Sequence, residues 1–175
     1  MGPGAVALDR SAARLHGRRR LSDDGLITVH VLGFPLQVHA RAQQQSAEMC
    51  REFQLVLGQE AVHPGSVPAR LLAISKALSG RYSGFTEEQE RQIEEGIASG
   101  AERLDDLVFR VPAHVSEAVE QLGAVLDEAD EWCRQGKLLV LATPPDLVAY
   151  RNWYLQEFSR QAVGEDPRPW DGPLC

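Results

Sequence analysis

From Val115 to Cys133 the apolar residues Val115, Ala118, Val119, Leu122, Val125, Leu126, Ala129, Trp132 and Cys133 recur at three- and four-residue spacing until Gly136 stops the run. A helix with so continuous an apolar stripe has to lay it against other elements, so a layered helical domain is the framework into which the rest of the chain must fit.

A second helix is specified at its start. In the stretch Lys137 to Gln161, Thr143 can serve as N-cap, Pro144 suits the first helical position, and Asp146 sits where a capping-box carboxylate reaches back. That helix is expected from Pro144 to about Ala162. Upstream, helical periodicity begins at about Gln43, with Ala47, Cys50, Phe53, Val56 and Leu57 as its stripe, and stops at Gly58. Another helix is expected over Val67 to Leu78, closing at Gly80. Thr86-Glu87-Glu88-Gln89 reads as a capping box that opens a helix through about Leu104. Gly96 and Gly100 on it would admit a neighbouring backbone.

Strand periodicity precedes these helices. Ile27, Val29 and Val31 alternate with Thr28 and His30, and Leu36, Val38 and Ala40 alternate with Gln37, His39 and Arg41. A two-residue turn at Gly33-Phe34 would pair Val31 with Leu36, Val29 with Val38 and Ile27 with Ala40, with Pro35 forcing an edge position. The fold class is therefore mainly α: about five helices with a small N-terminal β-hairpin. It becomes α+β if the short apolar runs 107–111 and 138–141 join that hairpin. Residues 1–21 read as a disordered basic tail, 22–163 as one globular domain, and 164–175 as an extended C-terminal tail.

Charge narrows the partners. The net charge is −7, yet residues 1–21 carry five Arg against Asp9, a net of +4 that leaves −11 on the remainder. So acidic a body disfavours nucleic acid. Cys50, Cys133 and Cys175 are odd in number and widely spaced, which fits a reducing cytoplasm rather than a disulfide framework or zinc knuckle. No apolar window approaches the length of a membrane span, and the N-terminus has no signal-peptide core.

Chemical motifs are few. P-loop, dinucleotide-fold, hydrolase-elbow and zincin patterns are all missing from the sequence, so no cofactor is expected. Glu60 and His63 have the spacing of a di-iron ligand pair but stand alone between Gly58 and Pro64, and His114 with Glu117 is better read as a helix start. His30 and His39 would lie diagonally across the outer face of the hairpin, where two ligands do not make a specific metal site. Asp127, Asp130 and Glu131 fall on the solvated side of their helix, which argues against a cation site; no metal is expected.

The aromatic, arginine-bearing helix carries the candidate site. Tyr150, Arg151, Trp153, Tyr154 and Arg160 are residue types that anchor protein interfaces, so one reading is a partner-binding or homodimer surface. The opposing reading packs them internally against the helix that bears Trp132. A third places a pocket between the last two helices, with Arg151 holding an anionic ligand and Trp132 and Tyr154 lining the cavity.

Two segments, VHVLGFPLQVHARAQQQSAEMCREFQLVL at Val29 to Leu57 and LLVLATPPDLVAYRNWYLQEFSRQ at Leu138 to Gln161, resemble a family of small actinobacterial proteins. Its members are often encoded near partner-switching regulators: anti-sigma-factor kinases, STAS-domain antagonists and PP2C-type phosphatases. The resemblance implies a non-enzymatic cytoplasmic regulator whose partner is a STAS or anti-sigma type protein. It implies no ATP site, because the Asn-bearing helix and D-x-G-x-G loop of the kinases are missing from this sequence.

Overall fold

The computed structural model describes residues 25–59, 66–82, 84, 86–136 and 139–174. The element order is β1 (Leu26–Pro35), α1 (Leu36–Gln59), α2 (Val67–Tyr82), α3 (Glu87–Ala98), β2 (Arg103–Pro112), α4 (Val115–Arg134) and α5 (Pro145–Ala162). The fold is mainly α, with five helices and one two-stranded antiparallel sheet among the described residues. The basic tail, the Glu60/His63 pair and Cys175 lie outside the described residues.

The partner of β1 is not the segment Leu36–Arg41 but β2, and the pairs Ile27↔Val111, Val29↔Phe109 and Val31↔Leu107 line one buried face. Leu36 to Arg41 is instead the first turn and a half of α1. Pro35 cannot donate a ladder bond, but its fixed φ suits the lead into a helix, and Ala40 to Gln45 are mostly good helix formers. The three-residue alternation of Leu36, Val38 and Ala40 was too short to outweigh that. Ala40 and Ala47 face solvent, while Val38, Met49 and Phe53 are buried. Gly33 has φ +66°, a conformation costly for any other residue, and there the alternation of β1 breaks so that Phe34, Pro35 and Leu36 are buried in succession.

Of the two short apolar runs, 107–111 lies within β2, whereas the described part of 138–141 is no strand. It has no neighbouring chain to pair with: Leu139 and Leu141 are exposed, and Val140 packs against the helices.

α2 runs through Gly80 to Tyr82 rather than closing at the glycine, and two further helix boundaries moved for local reasons. α3 ends at Ala98 rather than near Leu104, because Gly100 at φ +75° closes a Schellman motif in which Gly100 N–H donates to Ile97 O and Ala101 N–H to Gly96 O. Gly100 itself has no neighbour for a Cβ to meet, while Gly96 approaches the side chains of Leu36 and Leu104 rather than a backbone. α5 starts one residue late, with Pro144 as N-cap and Pro145 first in the helix. A residue preceding proline is driven out of the helical region, so Pro145 holds Pro144 extended at ψ 148°.

The interior has two parts. One core joins the sheet face to Val115 and Val119 of α4 and to Leu147, Tyr150 and Phe158 of α5. The other joins Met49 and Phe53 of α1, Val67 and Leu71 of α2, and Val125, Ala129 and Cys133 of α4. No helix among the described residues is long and apolar enough to cross a membrane.

Candidate functional site

α5 packs into the first core and borders α1 and α4, and its polar residues fix it in place. Arg151 donates from Nη1 to Asp130 Oδ2 at 2.9 Å and from Nη2 to Asp127 Oδ1 at 2.6 Å. Asp130 is buried, and its other oxygen accepts the Thr143 backbone N–H at 2.9 Å. Thr143 is thus a tether for the α4–α5 loop rather than a helix cap, and Asp130 is not on a solvated face. Leu126 and Ala129 do point inward, but α5 covers the flank between them and Asp130, a neighbour that the phase of α4 alone does not reveal. Asp146 pairs with Arg41 of α1 at 2.9 Å instead of returning to the helix start.

The other candidate residues on α5 are turned inward as well. Tyr150 is buried, and Tyr154 packs edge-on against Phe34, Phe109 and Phe158. Trp153 leans on Trp170, and its indole N–H donates to Arg168 O. Arg160 holds Glu157 and Glu165, both at 2.8 Å. Trp132 packs against the second core and does not reach the cavity described below.

Beside α5 lies a cleft of about 210 Å³ between α1, α4 and α5. α1 supplies His39 and Met49, α4 supplies Leu122 and Leu126, and α5 supplies Leu147 and Leu155. The walls are predominantly apolar. Arg151 borders the cleft, yet its two terminal nitrogens are engaged by carboxylates and its Nε is buried without an acceptor among the described residues. Its charge is therefore already matched by two carboxylates that an anion entering the cleft would also meet, and among the described residues the Nε–H is the donor left without a partner.

The polar end is built instead from His39, Tyr150 and Gln43. His39 Nδ1 lies 2.8 Å from the Tyr150 hydroxyl, and its Nε2 lies 3.4 Å from the Gln43 amide nitrogen. The tautomer that meets both contacts has Nδ1–H donating to the phenol oxygen and Nε2 accepting from Gln43. That leaves the Tyr150 O–H as a donor on the cleft wall. Burial pushes the His39 pKa down to about 4 and that of Tyr150 well above its usual value, so both are neutral near pH 7.

His30 is remote from this chemistry by element: it sits in β1 and pairs with Asp106 at 2.9 Å. The expectation that His30 and His39 share one strand face fails because His39 belongs to α1. Among the described residues no group of three or more His, Cys, Asp or Glu could hold a metal. The His39–Tyr150 contact was missed at the sequence level because the only available signal, two polar-capable residues in separate apolar runs, gives no partner. No family model, curated protein or solved structure matches the chain.

Proposed function

We propose that this protein is a regulatory binding protein of the cytoplasm, whose cleft between α1, α4 and α5 takes up a small, mainly apolar molecule. The observation that carries the proposal is the cleft: about 210 Å³, walled by Leu122, Leu126, Leu147 and Leu155, with a neutral His39–Tyr150 pair at one end. An apolar cavity of roughly 150 Å³ is enough to bind benzene. A few polar groups on an otherwise apolar wall are the usual composition of a ligand site.

The regulatory part rests on the resemblance to accessory proteins of partner-switching modules. Its two segments, Val29–Leu57 and Leu138–Gln161, include most of α1 and of α5, two of the three cleft walls. A STAS or anti-sigma type partner would then respond to the occupied state. Docking through Tyr150, Arg151, Trp153, Tyr154 and Arg160 themselves has less support, because their contacts lie within the fold. The free thiols of Cys50 and Cys133 are compatible with a reducing compartment.

A thermal-shift screen of small apolar compounds tests the reading. A compound at about a hundred times its Kd adds roughly 2.7 kcal/mol of stability. The gain should vanish in Leu122→Phe and Ser46→Leu, which narrow the cleft. Equal shifts in wild type and both narrowed variants, or none in any, would contradict it.

A further inference from the structure

A second cavity, of about 180 Å³, lies between α1, α2 and α4, and it shares Ser46, Met49, Leu122 and Leu126 with the cleft. The two spaces are therefore neighbours across one thin wall of side chains. Met49 stands in that wall, an unbranched thioether with three rotatable bonds that swings aside more readily than a branched residue. The far cavity ends at Leu71, Ser75 and Cys50. Together they describe an elongated, largely apolar path with its polar end at His39, Tyr150 and Gln43.

Resting on the cleft reading above, we propose that the ligand is an uncharged, straight-chain amphiphile. Its hydrogen-bonding head sits at the Tyr150 hydroxyl and its alkyl tail runs past Met49 into the second cavity. Length follows from the two spaces in series, since a single cavity of about 210 Å³ accommodates a molecule only somewhat larger than benzene. The absence of charge follows from the polar end. Arg151 is already matched by two carboxylates, Asp127 and Asp130, and His39 is neutral, so an anionic head would be desolvated beside a net negative cluster. A cationic head would lose its hydration with no free carboxylate among those residues to receive it. A hydroxyl or carbonyl oxygen can accept from Tyr150 O–H without either cost.

The experiment is a calorimetric titration of the full chain with hexanol, octanol, dodecanol and dodecanoate at neutral pH, repeated with Ser75→Phe. Ser75 borders only the second cavity and is half-buried in α2, so this variant shortens the path and leaves the cleft intact. Burying a methylene contributes about 0.8 kcal/mol, close to fourfold in affinity. The proposal predicts that affinity keeps rising from octanol to dodecanol in the wild type, stops rising beyond octanol in Ser75→Phe, and is at least about tenfold weaker for dodecanoate than for dodecanol. Equal affinity for octanol and dodecanol in the wild type overturns the two-cavity path while leaving the cleft reading standing. Tighter binding of dodecanoate overturns the uncharged head. Binding of none of the alcohols overturns both the path and the cleft reading.

Discussion

The two halves of the interior are finished differently. On the sheet side specific hydrogen bonds meet the sheet edges, whereas two neighbouring cavities of about 210 and 180 Å³ lie among the helices. A two-stranded sheet has two exposed edges, and here both are met at the same rung, His30↔Val108. The Gln161 side chain accepts from His30 N–H and donates to His30 O, both at 2.8 Å, and on the opposite edge Gln89 of α3 donates to Val108 O. At a non-hydrogen-bonded rung of an antiparallel ladder the backbone groups point outward, which is where the glutamines stand.

The C-terminal segment completes that seal. Trp170 N–H donates to Leu32 O at 3.0 Å, and buried Glu157 accepts from Arg160, from Gln161 and from the Arg168 backbone N–H. The sheet side thus resembles a core held at its edges by specific hydrogen bonds, and the helix side a container. The lesson is that α5 serves both sides: Phe158, Gln161 and Ala162 finish the sheet side, while Leu147, Arg151 and Leu155 border the cleft.

Truncation should separate the halves most clearly. Phe158→Ala on the sealed side should cost about 3–5 kcal/mol, because the neighbours Phe109 and Tyr154 are held and cannot collapse into the gap. Leu122→Ala on the cleft side should cost about half as much or less, since the residue is half-buried and already borders empty space. Urea unfolding of both variants checks the ordering, and equal losses would erase the contrast.

The joint between the halves comes next. Arg151→Met removes the partner of Asp130, whose side chain is 3% exposed, and should cost about 3 kcal/mol by leaving a buried carboxylate with only the Thr143 N–H. A loss under about 1 kcal/mol in the same assay would mean that Asp130 reaches water.

Acid should affect the cleft through His39. Its folded pKa of about 4 lies below the unfolded value of about 6.5, so between those values the unfolded chain binds more protons. The neutral imidazole therefore contributes stability that is complete above about pH 6.5 and is lost as pH falls towards 4, about 3 kcal/mol. The difference in unfolding free energy between wild type and His39→Gln, followed from pH 7 to pH 4, should shrink by that amount. A difference independent of pH would place the imidazole in water.

The smallest effect belongs to the sealed side. Gly33→Ala at φ +66° should cost about 1–2 kcal/mol, because any Cβ is strained there.

Local rules made much of this fold legible. The stripe of α4 and the start of α2 at Val67 follow from local signals that need no knowledge of neighbours. The errors arose where a distant residue decides the outcome. β1 pairs with a strand some seventy residues away, so the nearby alternation of Leu36, Val38 and Ala40 was a tempting but wrong partner. An Arg on an apolar stripe needs a partner, but which one was not readable for Arg151, because Asp130 looks solvated until α5 covers it and Asp127 stays exposed. Of the cleft, a pocket between the last two helices bordered by Arg151 and Tyr154 was readable, but not its wall from α1 nor its His39–Tyr150 end. The cleft is a volume that side chains fail to fill, and no motif encodes a gap.

The central claim, that the helix side is a ligand container, is tested most directly by amide chemical-shift mapping during a titration with octanol. Saturable shifts confined to residues 39–50, 122–126 and 143–155, with β1 unmoved, are the predicted result. The contrary result is non-saturating change, or change centred on the exposed Leu139 and Leu141, which would show that octanol only coats the surface.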